Sequence, residues 1–102
     1  MVTVLKITEE DFEDAVDIAV TYMKTGGVVI YPTDTVYGIG GDATSVDVVH
    51  KVHRIKHMRP LRPISIMVAD FSMIEYYCET GLWEDIILGR YLPGPYTFLM
   101  KK

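Results

Sequence analysis

The stretch "VVIYPTDTVYGIGGDA", residues 28–43, decides how this chain folds. An apolar, β-branched run is stopped at Pro32, which has no N–H to give to a strand ladder. Two threonines, an aspartate, a tyrosine and three glycines then follow by Gly41. "VVIY" therefore reads as a short buried strand, and "VYGIG" as a candidate strand resuming after a Pro-Thr-Asp turn. The glycines let backbone N–H groups come close to a ligand. Neither GxxxxGK[ST] nor GxGxxG is present, so the segment is not a standard phosphate loop or dinucleotide fingerprint. By spacing alone it is either a structural turn between strands or one wall of a binding site.

Upstream, Thr8 followed by Glu9, Glu10 and Asp11 has the form of an N-cap with acids in the first turn. Phe12, Val16, Ala19, Tyr22 and Met23 recur near helical spacing. Lys24 and the Gly26-Gly27 pair close this helix, placed at about 9–24, with a cation in the last turn and glycine beyond it. Downstream, Ser45 or Thr44 can cap a second helix with an inner stripe of Val48, Val49, Val52 and Ile55. That helix must end before Pro60, which pushes its predecessor out of helical geometry. "PISIMVA" reads as a strand leading to Asp70, "FSMIEYYCE" and "LWEDIILGRYL" as helices, and "PGPYTFLMKK" as a turn running into a strand. The order helix, strand, helix, strand, helix, helix, strand implies an α/β or α+β layer structure in a single domain spanning 1–102.

Composition narrows the function. The 102 residues are 49% hydrophobic and 24% charged, enough for one modest core. No apolar run reaches the roughly 18 residues of a membrane span, and the first residues lack the basic-then-apolar order of a signal peptide, so a cytoplasmic location is expected. The single cysteine, Cys78, has no CxxC partner and reads as a reduced, half-buried thiol. The net charge of -4 is unevenly spread. From Val48 to Ala69 there is no acid, yet Lys51, Arg54, Lys56, Arg59, Arg62 and all three histidines lie there. Such a concentration suits an anionic partner: phosphate, nucleotide or RNA backbone. Dipole compensation at a helix C-terminus explains one or two of these cations, not five.

Lys56 and Arg59 stand where the second helix gives way to a loop. Arginine grips phosphate oxygens bidentately and lysine acts as a compact point charge, so the pair suits a polyphosphate. His50, His53 and His57, at i, i+3 and i+7, line up on one helix face, but without a nearby carboxylate or cysteine and amid cations they are not expected to hold a metal. Thr35 and Ser65 have no general base in suitable context, so no protein nucleophile is expected. Tyr76, Tyr77, Trp83 and Tyr91 read as core or interface rather than base-stacking platforms.

Three segments, "GGVVIYPTDTVYGIGGDA" (26–43), "RIKHMRPLRPISIMV" (54–68) and "LPGPYTFLM" (92–100), together resemble the first half of the YrdC/YciO family. The fold this implies is an open, twisted, mixed sheet with flanking helices around a positively lined cavity. The activity it implies is condensation of L-threonine, bicarbonate and ATP to threonylcarbamoyl-adenylate and pyrophosphate, a nucleotidyl transfer that leads to threonylcarbamoyladenosine in tRNA. By the resemblance, Thr35 contacts L-threonine, and Lys56 and Arg59 hold ATP phosphates with Arg62 nearby. ATP enters as a substrate accompanied by Mg²⁺, and no tightly bound cofactor is expected. Family members also bind double-stranded RNA, so a non-catalytic RNA- or tRNA-binding module using 50–62, with Lys51 and Arg54 as anion contacts, is the alternative. The family's Lys-x-Arg is one residue longer here, Lys56-His57-Met58-Arg59, and with Met67 and "DFSMIEYY" this leans toward the YciO branch. The match covers the N-terminal portion of the family domain, so unpaired strand edges and a homo-oligomer formed through them are expected.

Overall fold

The computed structural model describes residues 2–102. Four helices and one two-stranded antiparallel sheet make a mixed α/β fold, in the order α1 (Phe12–Lys24), β1 (Val29–Tyr31), β2 (Gly38–Gly40), α2 (Val46–Ile55), α3 (Phe71–Tyr77) and α4 (Leu82–Tyr91). The chain divides into two compact units, one ending at Arg62 and the other beginning at Pro63. No helix among the described residues is long and apolar enough to cross a membrane.

In the first unit, the chain enters α1 through Thr8. Its Oγ1 accepts the Asp11 N–H at 3.2 Å and donates to Asp11 Oδ2 at 3.0 Å, which holds the turn before the helix, and the N-cap itself is Asp11, without a side-chain cap bond, rather than the expected Thr8. The other end closes at Gly26, in the left-handed region with φ of 90°. The Gly27 N–H reaches Tyr22 O at 2.7 Å and the Gly26 N–H reaches Met23 O at 3.2 Å, which together form a Schellman closure. Glycine at 26 adopts this conformation without the steric cost of a Cβ.

The chain turns from there into β1, against which α1 packs. β1 pairs with β2 in the register Val29 to Gly40, Ile30 to Ile39 and Tyr31 to Gly38. The Tyr31 ring lies over Gly38 and Gly40, so close that a Cβ at Gly38 would stand 2.7 Å from Tyr31 Cε2. After the sheet, Asp42 Oδ1 accepts the Thr44 N–H at 2.9 Å and its hydroxyl at 2.6 Å, an Asx turn that delivers Ser45 to the N-cap of α2. Ser45 Oγ accepts the Val48 N–H at 3.3 Å, so of the two caps the sequence offered, Ser45 is the one used.

Val48 and Val52 are buried, and Val48 packs against the Gly27–Gly41 approach, where a Cβ on Gly41 would meet its Cγ1 at 2.5 Å. Ile55, on the same expected stripe, stays 52% exposed.

In the second unit, Asp70 caps α3 by accepting the Met73 N–H at 3.0 Å, and Ile74 and Leu88 are buried. Tyr91 stacks edge-on against Tyr96, with ring centroids 5.2 Å apart. Cys78 is free and half-buried. The two strands expected over "PISIMVA" and the last residues do not form: 63–68 and 96–102 carry no ladder pairing. A strand exists only where a second strand takes its N–H and C=O groups, and among the described residues neither segment meets one. The sheet is accordingly two-stranded and antiparallel rather than a larger mixed one.

Candidate functional site

The 32–37 connection between β1 and β2 is organised by Thr33. Its Oγ1 accepts the Thr35 N–H at 3.3 Å, lies 3.4 Å from Thr35 Oγ1, and the hydroxyl donates to Val36 O. Side chains that bond to their own backbone in this way hold a turn without any ladder. Thr33, Asp34 and Thr35 are all exposed, so the turn presents a hydroxyl and a carboxylate to solvent.

The basic segment begins on α2. Arg54 is exposed on the last turn, whereas Lys51 Nζ donates to Gly26 O at 2.9 Å. Lys51 therefore binds the carbonyl end of α1, a neighbour of matching polarity. Lys56 is the C-cap of α2, and the next residue, His57, is the one non-glycine residue among those described with positive φ, at 53°. The His57 N–H reaches Arg54 O at 3.2 Å and the Met58 N–H reaches His53 O at 2.8 Å, a second Schellman closure with histidine where glycine is usual. Within Lys56-His57-Met58-Arg59, His57 thus occupies the left-handed position, closing the helix after its C-cap Lys56 and starting a loop. The Arg62 N–H then bonds to Arg59 O at 3.0 Å, curling the loop into a turn.

The result is a seven-residue segment, 56–62, with Lys56, Arg59 and Arg62 all exposed. Among the described residues none of the three forms an ion pair, the single salt bridge being Lys101 with Glu79 at 3.5 Å in the second unit. Cations without partners on a curled loop can bind polyphosphate at little cost in broken contacts. Among the described residues no hydrogen bond joins Thr35, which is bonded within its own turn, to this loop. Two surface depressions lie elsewhere, one lined by Asp17, Ile18, Thr21 and Tyr22 and one between 79–84 and 99–101, and neither includes a candidate residue.

The three histidines do not share one environment. His50 is exposed, and His57 sits beyond the helix end. His53 is 5% exposed, with Nδ1 at 2.9 Å from Val49 O and Nε2 at 2.8 Å from Arg62 O. Both ring nitrogens are committed to main-chain carbonyls, and no cluster of histidine, cysteine or carboxylate able to hold a metal ion forms among the described residues. His53 is the buried polar residue that spacing did not single out. Its one sequence signal is its place beside Val52, a buried position of the stripe, whereas its neighbours' charge suggested an exposed face.

Asp42, in the turn before α2, has its carboxyl held below the usual carboxylate range. The Thr44 hydroxyl bond is the main cause and the Thr44 N–H adds to it.

Comparison with known proteins bears on what this arrangement is for. The family model Sua5/yciO/yrdC, described as "Telomere recombination", matches residues 21–102. A relative from Methanocaldococcus jannaschii is 32% identical over 102 residues, covering 100% of this chain and 49% of that protein. A Pyrococcus abyssi protein named threonylcarbamoyl-AMP synthase is 28% identical over 103 residues, covering 100% of this chain and 30% of its own length. A human protein of the same name is 30% identical over 89 residues, covering 87% of this chain and 32% of its own. The chain thus spans about half or less of the length of these relatives. No solved structure gives a significant match. The match over 21–102 takes in the threonine turn, α2 and the whole cationic loop, and on it the chain belongs to the Sua5/YciO/YrdC family.

Proposed function

We propose that this chain is an ATP- and L-threonine-binding domain of the threonylcarbamoyl-adenylate synthase type. The observation that carries the reading is the 56–62 loop: three exposed, unpaired cations in a stretch with no acid between Val48 and Ala69. In this reading Lys56 and Arg59 bind the nucleotide's phosphates with Arg62 beside them, and Thr35 on the turn after β1 contacts the amino acid.

The threonine amino group and bicarbonate give a carbamate and water. A carbamate oxygen then attacks the α-phosphorus of ATP, forming the acyl phosphate bond of threonylcarbamoyl-AMP as the bond to pyrophosphate breaks. Such a reaction calls for positioning and for neutralising charge on the phosphates rather than for a protein nucleophile. A basic loop and a hydroxyl-bearing turn are the groups such a reaction calls for. Among the described residues no carboxylate cage forms, and in this reading Mg²⁺ comes as an ion carried on the nucleotide's phosphates.

The test is calorimetric titration of ATP with and without L-threonine, Mg²⁺ and bicarbonate. Affinity that rises with threonine supports the reading, and absence of any ATP binding overturns it for this chain. A second reading, an RNA-binding module, is favoured by Arg54, which is exposed on α2 outside the loop. Binding of double-stranded RNA that falls steeply with salt supports that module, and a flat dependence rejects it.

A further inference from the structure

The turn between β1 and β2 uses its hydrogen-bond donors on itself. Thr33 has one hydroxyl proton, which goes to Val36 O, so toward every other neighbour its oxygen can only accept. It accepts the Thr35 N–H at 3.3 Å, and across the 3.4 Å between the two hydroxyl oxygens the proton must come from Thr35. Both donors of Thr35 therefore point back into the turn, and its exposed side chain has only oxygen lone pairs left to offer. Asp34, exposed between the two threonines, carries a carboxylate that forms no ion pair among the described residues. The side chains of 33–35 thus present acceptors to a ligand and no donor. The cationic loop is the opposite case, since lysine and arginine side chains donate and have no acceptor.

On the reading of this chain as a threonine-binding domain, we infer that Thr33 is a positioning residue whose hydroxyl fixes this polarity, so that Asp34 and Thr35 receive the donor end of the substrate, its amino nitrogen and its hydroxyl. An amino acid with a β-hydroxyl carries N–H and O–H donors on two neighbouring carbons and acceptors on its carboxylate. The acceptor turn suits the first, and the donor loop suits the second together with the nucleotide's phosphates. The nitrogen keeps an N–H as ammonium, as amine and as carbamate, so the turn can hold it throughout the condensation. The same polarity turns the substrate's carboxylate away, because an anion brought to Asp34 meets a like charge and finds no side-chain donor there. Thr33 acts through local bonds to the backbone two and three residues on. Those bonds need an oxygen on Cβ and not the methyl group, so serine can stand in for threonine at 33 and valine cannot.

The experiment titrates the 102-residue chain, in Mg²⁺-ATP and without bicarbonate, with L-threonine and with 3-hydroxybutyrate, which keeps the hydroxyl and the carboxylate but lacks the amino group. The native chain should prefer L-threonine. Thr33→Val, which keeps the side-chain shape without the oxygen, should weaken L-threonine binding about tenfold and leave ATP affinity unchanged. Thr33→Ser should bring L-threonine affinity back to within about twofold of the native value. The preference for L-threonine over 3-hydroxybutyrate should shrink in Thr33→Val and in Asp34→Asn, a change that a merely structural role at 33 would not produce. Hydrogen exchange at the Thr35 amide, followed in parallel, should speed up in Thr33→Val and recover in Thr33→Ser. Unchanged L-threonine affinity in Thr33→Val, failure of Thr33→Ser to restore it, or an unaltered preference between the two ligands overturns the role of Thr33, while ATP binding leaves the nucleotide-binding reading in place. A chain that binds neither ATP nor L-threonine removes that reading and the substrate assigned to the turn with it.

Discussion

Lys51 Nζ donates to the carbonyl of Gly26 at 2.9 Å, across 25 residues of sequence. The bond ties α2 to the closing turn of α1, just before β1 in the chain. Lys51 belongs to the cationic run, yet it is engaged within the fold, which separates it from Lys56, Arg59 and Arg62.

Lys51→Met keeps the aliphatic stem and removes the donor. The expected cost is about 1 kcal/mol of stability, the scale of a charge-assisted surface hydrogen bond, with little change in ATP affinity. Urea denaturation of the variant beside a nucleotide titration measures both. A loss of ATP binding without loss of stability would place Lys51 in the anion site instead.

His57 adopts φ of 53° at the end of α2, a conformation that costs a residue with a Cβ about 1 kcal/mol. His57→Gly should relieve this and raise the midpoint of thermal unfolding, unless the gain is offset by the larger entropy of glycine in the unfolded chain. A decrease in stability would mean that the imidazole makes a contribution larger than the backbone strain.

Asp42 is held below the usual carboxylate range by the Thr44 hydroxyl and N–H. The sign follows from linkage. A depressed carboxyl stabilises the folded state above its unfolded value, about 3.9, and that contribution disappears as pH falls through the lower folded value. Asp42→Asn keeps an acceptor oxygen for the turn but has no charge to titrate. The stability difference between the native chain and Asp42→Asn should therefore be constant near neutrality and shrink below about pH 4. Chemical denaturation at a series of pH values reads this directly.

Lys56→Ala and Arg59→Ala should each weaken ATP binding about tenfold or more, since each removes charge-assisted hydrogen bonds to phosphate. Stability should hardly change, because neither side chain forms an ion pair with the fold. ATP affinity unchanged in both variants would remove the loop from the nucleotide site.

Much of the local structure was legible in the residues. α1, β1, β2, α2, α3 and α4 all lie within the expected segments, because caps such as Ser45 and Asp70 and closures such as Gly26 act over three to five residues that the sequence displays. The expected strands at 63–69 and near the C-terminus were not legible in the same sense. Their β-branched and aromatic content favours extended backbone, but a strand is a pairing, and pairing depends on residues far away in sequence.

The cationic loop divides in the same way. Sequence alone established that positive charge is concentrated between Lys51 and Arg62 with no acid to neutralise it, because charge is a property of each residue. Only the tertiary structure decided which of those cations are free. Lys51 is drawn to Gly26 and the backbone of Arg62 to His53, while Lys56 and Arg59 stay exposed. It also decided that His53, one of three histidines equivalent by spacing, is buried. The physical reason is that a loop folding back on its helix covers one side of it, and which residue is covered depends on how α2 ends: at Lys56, with His57 in the left-handed conformation.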